Sequence, residues 1–293
     1  MRFGGCARAA IHEDDANRSV NSFLLAARAE LRRAWPFALV LALALGAVLV
    51  VGANLSNAFP SQERPFGWPG PASFENGVAM VRDQLVLAAT LPALALGATM
   101  PARRQPEGPL AADAALVALA CGVAALLGAW GASTAPPDAV IAFWAAHALL
   151  ALAFWALALV CAAFARKHAL PLALAVWTLF VALWENGTRW ILFRQVGYGP
   201  LSTGQFPSWY YVSQALSPLS AYRGVLILWR RGFMDAIERA VLGQAALPPW
   251  MTPGVFAAFL VGFWIALPAG IATLVWRVRG RAARSKAPDA EPA

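Results

Sequence analysis

The stretch VIAFWAAHALLALAFWALALVCAAFA, residues 140–165, decides the fold. It contains one basic side chain, His147, and no acidic one. It is longer than the roughly 20 residues that carry an α-helix across the hydrocarbon core of a bilayer. Ala and Leu dominate it, and both are strong helix formers. Its apolar residues are continuous, whereas a barrel strand would alternate apolar and polar. Asp138 precedes the run, and Arg166, Lys167 and His168 close it. Such a segment reads as a membrane-spanning helix.

Outward from this run the same signature repeats. Apolar stretches of crossing length lie at 35–53, 79–100, 111–131, 170–193 and 254–276, which makes six expected spans. Composition agrees: 60% of the residues are hydrophobic and 13% are charged, against about 25% charged in soluble domains. The expected architecture is an all-α polytopic membrane protein. Arg82 and Asp83 weaken the second run and are expected at the membrane interface. Asp113 reads as a helix-start charge on the third. Trp35, Trp130, Trp190 and Trp276 fall near expected span ends, as an aromatic belt requires.

The flanks read differently. Residues 1–18 are polar, mixed in charge and expected to be disordered. From 19 to 34, Val20, Phe23, Leu24, Ala27 and Leu31 recur at helical spacing, with Arg28, Glu30, Arg32 and Arg33 elsewhere on the wheel. That pattern suits an amphipathic helix lying on an anionic membrane surface. The transmembrane body is expected over 35–276, and a basic tail over 277–293. Most of the 23 Lys and Arg residues fall on one side of this topology. Both termini are therefore expected in the cytoplasm. The positive flanks account for the net charge of +8 without a nucleic-acid partner.

The segment 195–252 is too long for a simple connector. Within it AYRGVLILW, residues 221–229, is apolar but too short to cross, and 233–243 continues with an amphipathic pattern. Two short helices are expected at the outer surface, either near the mouth of a path or packed across the bundle. Glu185 and Arg189 stand at i, i+4 and can pair, or simply mark the end of the fifth span. His147 is either bonded to a neighbouring helix or part of a relay. No metal-ligand spacing, phosphate loop or nucleophile motif occurs, so no catalytic residue, metal or cofactor is expected.

Three stretches then resemble the permease subunits of type-2 ATP-binding-cassette transporters, most of all the permease of the nitrous-oxide-reductase maturation system. They are AARAELRRAWPF (26–37), ALVCAAFARKHALPLALAVWTLFV (158–181) and Ser217-Pro218-Leu219-Ser220-Ala221-Tyr222-Arg223. The resemblance implies a bacterial inner-membrane transport subunit, paired with a second permease copy or relative and driven by a separate ATPase subunit. It departs after the second span, where the usual amphipathic docking segment is shortened to Ala102–Gly108. By this resemblance Arg28, Arg32, Arg103, Arg104 and Glu107 are candidates for coupling to the ATPase. His147, Glu185, Arg189, Tyr222 and Arg223 are candidates for the path or its gate. The alternative reading is a membrane-embedded enzyme or a non-transporting assembly scaffold. The topology is tested by a cysteine at Ser202. An impermeant thiol reagent should label it in intact cells, and labelling only after lysis would reverse the orientation.

Overall fold

The computed structural model describes residues 28, 31–54, 73–100, 107–132, 134–197, 199, 205–234 and 247–284. All secondary structure among them is helical. In chain order the helices are α1 (Leu31–Asn54), α2 (Phe74–Met80), α3 (Arg82–Ala98), α4 (Glu107–Gly131), α5 (Pro137–Phe164), α6 (Arg166–Val196), α7 (Ser208–Ala215), α8 (Pro218–Trp229) and α9 (Pro253–Ala282). Five of these, α1, α4, α5, α6 and α9, are long and apolar enough to cross a membrane, and α2 with α3 makes a sixth if the pair, bent by 77°, counts as one span. The chain is therefore an all-α polytopic membrane protein.

The observed boundaries refine the expected ones. The described part of α1 starts at Leu31, so residues 31–34, expected in the interfacial helix, are helically continuous with the first span. Leu, Arg and Ala favour helix there, and nothing before Pro36 breaks it. Apart from Arg28, which is helical and exposed, the expected amphipathic helix lies outside the described residues. α9 runs past Trp276 to Ala282, so the basic stretch expected as a tail starts within a helix. Where a second span is expected over 79–100, the chain bends at Val81 between α2 and α3.

α5 is the central post. It is the most enclosed of the spans, with 72% of its apolar window buried, and α3, α4, α6, α8 and α9 all pack on it. Its many alanines permit close backbone approach, which replaces hydrophobic attraction as the source of helix association in lipid. Gly97 of α3 gives the sharpest example. A Cβ there would stand 2.4 Å from the Trp155 carbonyl oxygen and 2.9 Å from Ala158 Cβ. α1 and α2 cross just as tightly, because a Cβ on Gly52 would meet the Gly77 oxygen at 2.6 Å. The outer faces of α1, α4, α6 and α9 carry exposed Leu, Val, Phe and Trp, as lipid-facing surfaces should.

Both α6 and α9 contain a π-helical stretch, Leu179–Trp184 and Leu260–Ala266. The second ends just before Pro268, which has no N–H for the carbonyl one turn earlier, and a local π adjustment accommodates that loss. The two stretches touch through Phe180 and Trp264, edge to face with centroids 4.9 Å apart. Of the tryptophans expected near span ends, Trp35, Trp130 and Trp190 are exposed and Trp276 is buried. Gly97→Leu should separate α3 from α5 and lower stability by about 1–3 kcal/mol. Gly122→Ala, where the nearest atom is 3.4 Å away, should be tolerated. A thermal melt of Gly97→Leu indistinguishable from the parent would contradict this packing.

Candidate functional site

Among the described residues, the paired charges gather at the two ends of the bundle. At one end, here the basic end, α1 starts, α3 finishes and α4 starts. Arg33 joins all three: its guanidinium donates to the Asp113 carboxylate at 2.6 Å, to the Leu96 carbonyl at 3.3 Å and to Met100 Sδ at 3.1 Å. Asp113 is fully buried, so it is a partner for this cation rather than a helix-start charge. An uncompensated carboxylate inside a membrane protein is costly, and Arg33 removes that cost across three helices at once. Arg33 is thus drawn inward from the basic face on which the sequence pattern set it.

At the opposite, loop end sits α8. Ser217 caps it, its hydroxyl oxygen accepting from the Ser220 N–H at 3.4 Å, and Pro218 occupies its first turn, where the missing proline N–H costs nothing. The 12-residue helix is about 18 Å long, too short to cross. It matches the expected short helix but begins earlier, at Pro218, and α7 precedes it. The expected companion over 233–243 lies mostly outside the described residues. Nor does α8 rest on the surface by one apolar stripe. Ala221, Tyr222, Val225, Leu226 and Ile227 are all buried, and α5 and α9 pack against it. Gly224 meets the Phe256 ring of α9 so closely that a Cβ would lie 2.6 Å from it.

Two adjacent residues of α8 make its polar attachments. Tyr222 is fully buried, as is His147 of α5. The Tyr222 hydroxyl lies 2.9 Å from His147 Nε2, and His147 Nδ1 lies 2.9 Å from the Phe143 carbonyl oxygen. A carbonyl only accepts, so Nδ1 carries the hydrogen and Nε2 accepts from the tyrosine hydroxyl. Phe143 stacks on the imidazole at a centroid distance of 3.8 Å. His147 is therefore bonded to a neighbouring helix, about 15 Å along α5 from Pro137.

Arg223, the next residue, faces different neighbours. Its Nη1 donates to both oxygens of Glu185 on α6, at 2.5 and 2.6 Å, and its Nη2 reaches Asp83 at the start of α3 at 3.1 Å. Glu185 also takes Arg189 at 3.7 Å and the Ser220 hydroxyl at 3.4 Å. The two acids differ in setting: the side chains of Glu185 and Arg223 are 13% and 17% exposed, whereas that of Asp83 is 79% exposed. Glu185 is accordingly the stronger partner. Asp83 is exposed, whereas its neighbour Arg82, expected beside it at the interface, is buried. Beyond the C-terminus of α8, Arg230 binds Glu75 of α2 at 2.8 Å and also Asp138 at the start of α5. Hydrogen bonding to Glu75 raises the Arg230 pKa above the usual arginine value.

The gate candidates are thus brought together: Glu185, Arg189 and Arg223 in one ion cluster, His147 and Tyr222 in an adjoining hydrogen-bonded pair. The coupling candidates are described only in part. Arg28 and Arg32 are exposed, Arg103 and Arg104 lie outside the described residues, and Glu107 is the first residue of α4 with its side chain outside them. Sequence reasoning missed Asp83, Glu75 and Arg230 as partners. The available signal was a pair of arginines, Arg223 and Arg230, flanking an apolar run with no acid within it. Trp177 of α6 adds a further link, donating to Thr90 of α3 at 2.8 Å.

The cluster orders its own mutations. Glu185→Gln leaves a largely enclosed arginine charge and should cost about 3 kcal/mol. Tyr222→Phe strips His147 Nε2 of its donor and should cost about 1–3 kcal/mol. Asp83→Asn should cost less than about 1 kcal/mol. Melting of the purified chain checks this order, and an Asp83→Asn variant as damaged as Glu185→Gln would contradict it. Searches for related proteins find no family that matches this chain and no curated protein similar to it.

Proposed function

We propose that this chain is the membrane-spanning permease subunit of a transporter powered by a separate ATPase chain. The observation that supports this best is α8. It is a short helix sealed into the loop end among α3, α5, α6 and α9, held by contacts that can be exchanged without breaking the bundle. Ion pairs and hydrogen bonds have discrete partners, so a helix attached by them has defined bound and released arrangements. The π-helical stretches of α6 and α9 beside it are the kind of irregularity that accompanies functional sites in membrane helices. The resemblance noted in the sequence supports the same reading through Tyr222 and Arg223, which belong to its third motif.

In this account α8 gates the loop end. Release requires Tyr222 to leave His147 and Arg223 to leave Glu185, while the exposed Asp83 gives Arg223 an alternative partner. The energy for that release comes from nucleotide hydrolysis in the partner subunit at the basic end. The working unit is a pair of permeases in a bacterial inner membrane with both termini in the cytoplasm. The substrate crosses between α8 and the π-helical stretches.

The test uses a reversible lock. Gly224→Cys with Phe256→Cys puts two thiols across the α8–α9 contact, where the present close approach suits a disulfide. The chain purified from its own host should bring with it a nucleotide-binding subunit in stoichiometric amount. Vanadate-sensitive ATP turnover by that complex should fall at least several-fold on oxidation of the double variant and return on reduction. The single variants should not respond. Absence of a stoichiometric ATPase chain, or turnover indifferent to the closed lock, would overturn the reading.

A further inference from the structure

The basic end carries a second feature that the gate does not use. α5 finishes at Phe164, and Arg166, Lys167 and His168 form a single 3-10 turn before α6 continues. On α9, far away in sequence, Arg279 and Arg281 are exposed. Packing brings the two groups together. Arg279 donates through Nη1 to the carbonyl oxygen of Ala163, three residues before Arg166. That bond uses one of the five N–H donors of the guanidinium and satisfies a carbonyl at the C-terminus of α5, where a cation is also favoured by the helix dipole. Two basic groups separated by more than a hundred residues, as the 116-residue spacing of that bond records, become one patch.

The patch has a specific level in the molecule. Phe164 and Leu170 on one side, and Leu274 and Val278 on the other, are large, apolar and exposed within about a turn of the cations. Cations immediately above lipid-facing apolar side chains stand at the boundary of headgroup and acyl chains. No carboxylate occurs among the described residues of α6 before Glu185 or of α9. Asp113 of α4, an acid at this end whose side chain is described, is bonded to Arg33.

We propose that this patch is a binding site for the headgroup of an anionic phospholipid. Arg166 and Lys167 hold it from one side, Arg279 and Arg281 from the other, and the acyl chains run down past Leu170 and Leu274. Juxtamembrane cations of this kind attract anionic lipid additively. The apolar side chains directly below favour lipid over an acidic protein surface, which would have no use for them. The site ties the ends of α5, α6 and α9 together from outside, so lipid composition would bear on how freely the last two spans move.

The test measures lipid retention. The full chain is extracted in mild detergent from vesicles of equal phosphatidylglycerol and phosphatidylcholine, and bound lipid is counted by native mass spectrometry. The parent should retain phosphatidylglycerol over phosphatidylcholine by about tenfold, as several cations each attracting anionic lipid imply. Neutralising Arg166, Lys167, Arg279 and Arg281 to Gln should bring the ratio close to one. Should that variant misfold, the two double variants, Arg166→Gln with Lys167→Gln and Arg279→Gln with Arg281→Gln, should each lower it about threefold. Arg194→Gln and Arg231→Gln, at the loop end, should leave it unchanged. Equal retention of both lipids by the parent, or enrichment that survives the neutralisations, overturns the proposal. So does a quadruple variant that keeps its lipid but loses a bound ATPase chain, which would make the patch a protein dock.

Discussion

The arrangement of the loop end depends on the pairing of Arg223 with Glu185. A guanidinium on a short helix enclosed by apolar spans needs an opposite charge, because isolation in such surroundings is expensive. Glu185 supplies that charge with both oxygens. Once the pair forms, the next residue back, Tyr222, about 100° around α8, is turned to meet His147. One helix turn is thereby fixed from two directions, to α6 by charge and to α5 by a hydrogen bond. Van der Waals contact with Phe256 supplies the third wall. Without the pair, the apolar face of α8 alone would not specify its depth or rotation, since neighbouring spans and lipid offer similar apolar surroundings.

The same constraint operates at the basic end on a smaller scale. Arg33 and Asp113 join α1, α3 and α4, and α3 connects the two ends directly: Asp83 at its start touches the α8 cluster and Leu96 near its finish touches Arg33. Between them the bundle is held mainly by shape, with the Trp177–Thr90 hydrogen bond as a polar link between α6 and α3. α5 presents alanines, α3 presents Gly97, and the two backbones approach as closely as side-chain loss allows. A rigid apolar middle with polar fastenings at each end is a construction in which one end can change partners while the other is held. The proposed permease role would draw on that property.

Much of this architecture was legible in the sequence, and the reason is the bilayer itself. Crossing length and continuous hydrophobicity mark 140–165 and its companions because hydrocarbon leaves the backbone no choice but helix. The short apolar run at 221–229 was readable for the same reason, by being too short. The partners were not readable. Glu185 and Arg223 are 38 residues apart, Asp83 and Arg223 are 140 apart, and Glu75 and Arg230 are 155 apart. No local pattern encodes which acid a cation will meet across a bundle. The bend at Val81 and the burial of Arg82 also escaped, because both follow from how α2 folds over the loop end rather than from hydropathy. Tyr222 and Arg223 came from a motif resemblance, and their geometry gives that motif a physical meaning: one residue anchors α8 to α5 and the next anchors it to α6.

The central claim is that α8 is a sealed, polar-fastened element and not a surface helix. Hydrogen–deuterium exchange of the full chain in a lipid nanodisc measures this directly. Amides of Val225 to Leu228 should exchange as slowly as those at the centre of α5. In an Arg223→Gln chain with an unchanged melting profile for α5, they should exchange much faster while α5 stays protected. Rapid exchange of α8 in the parent, on the scale of an exposed loop, would contradict the account.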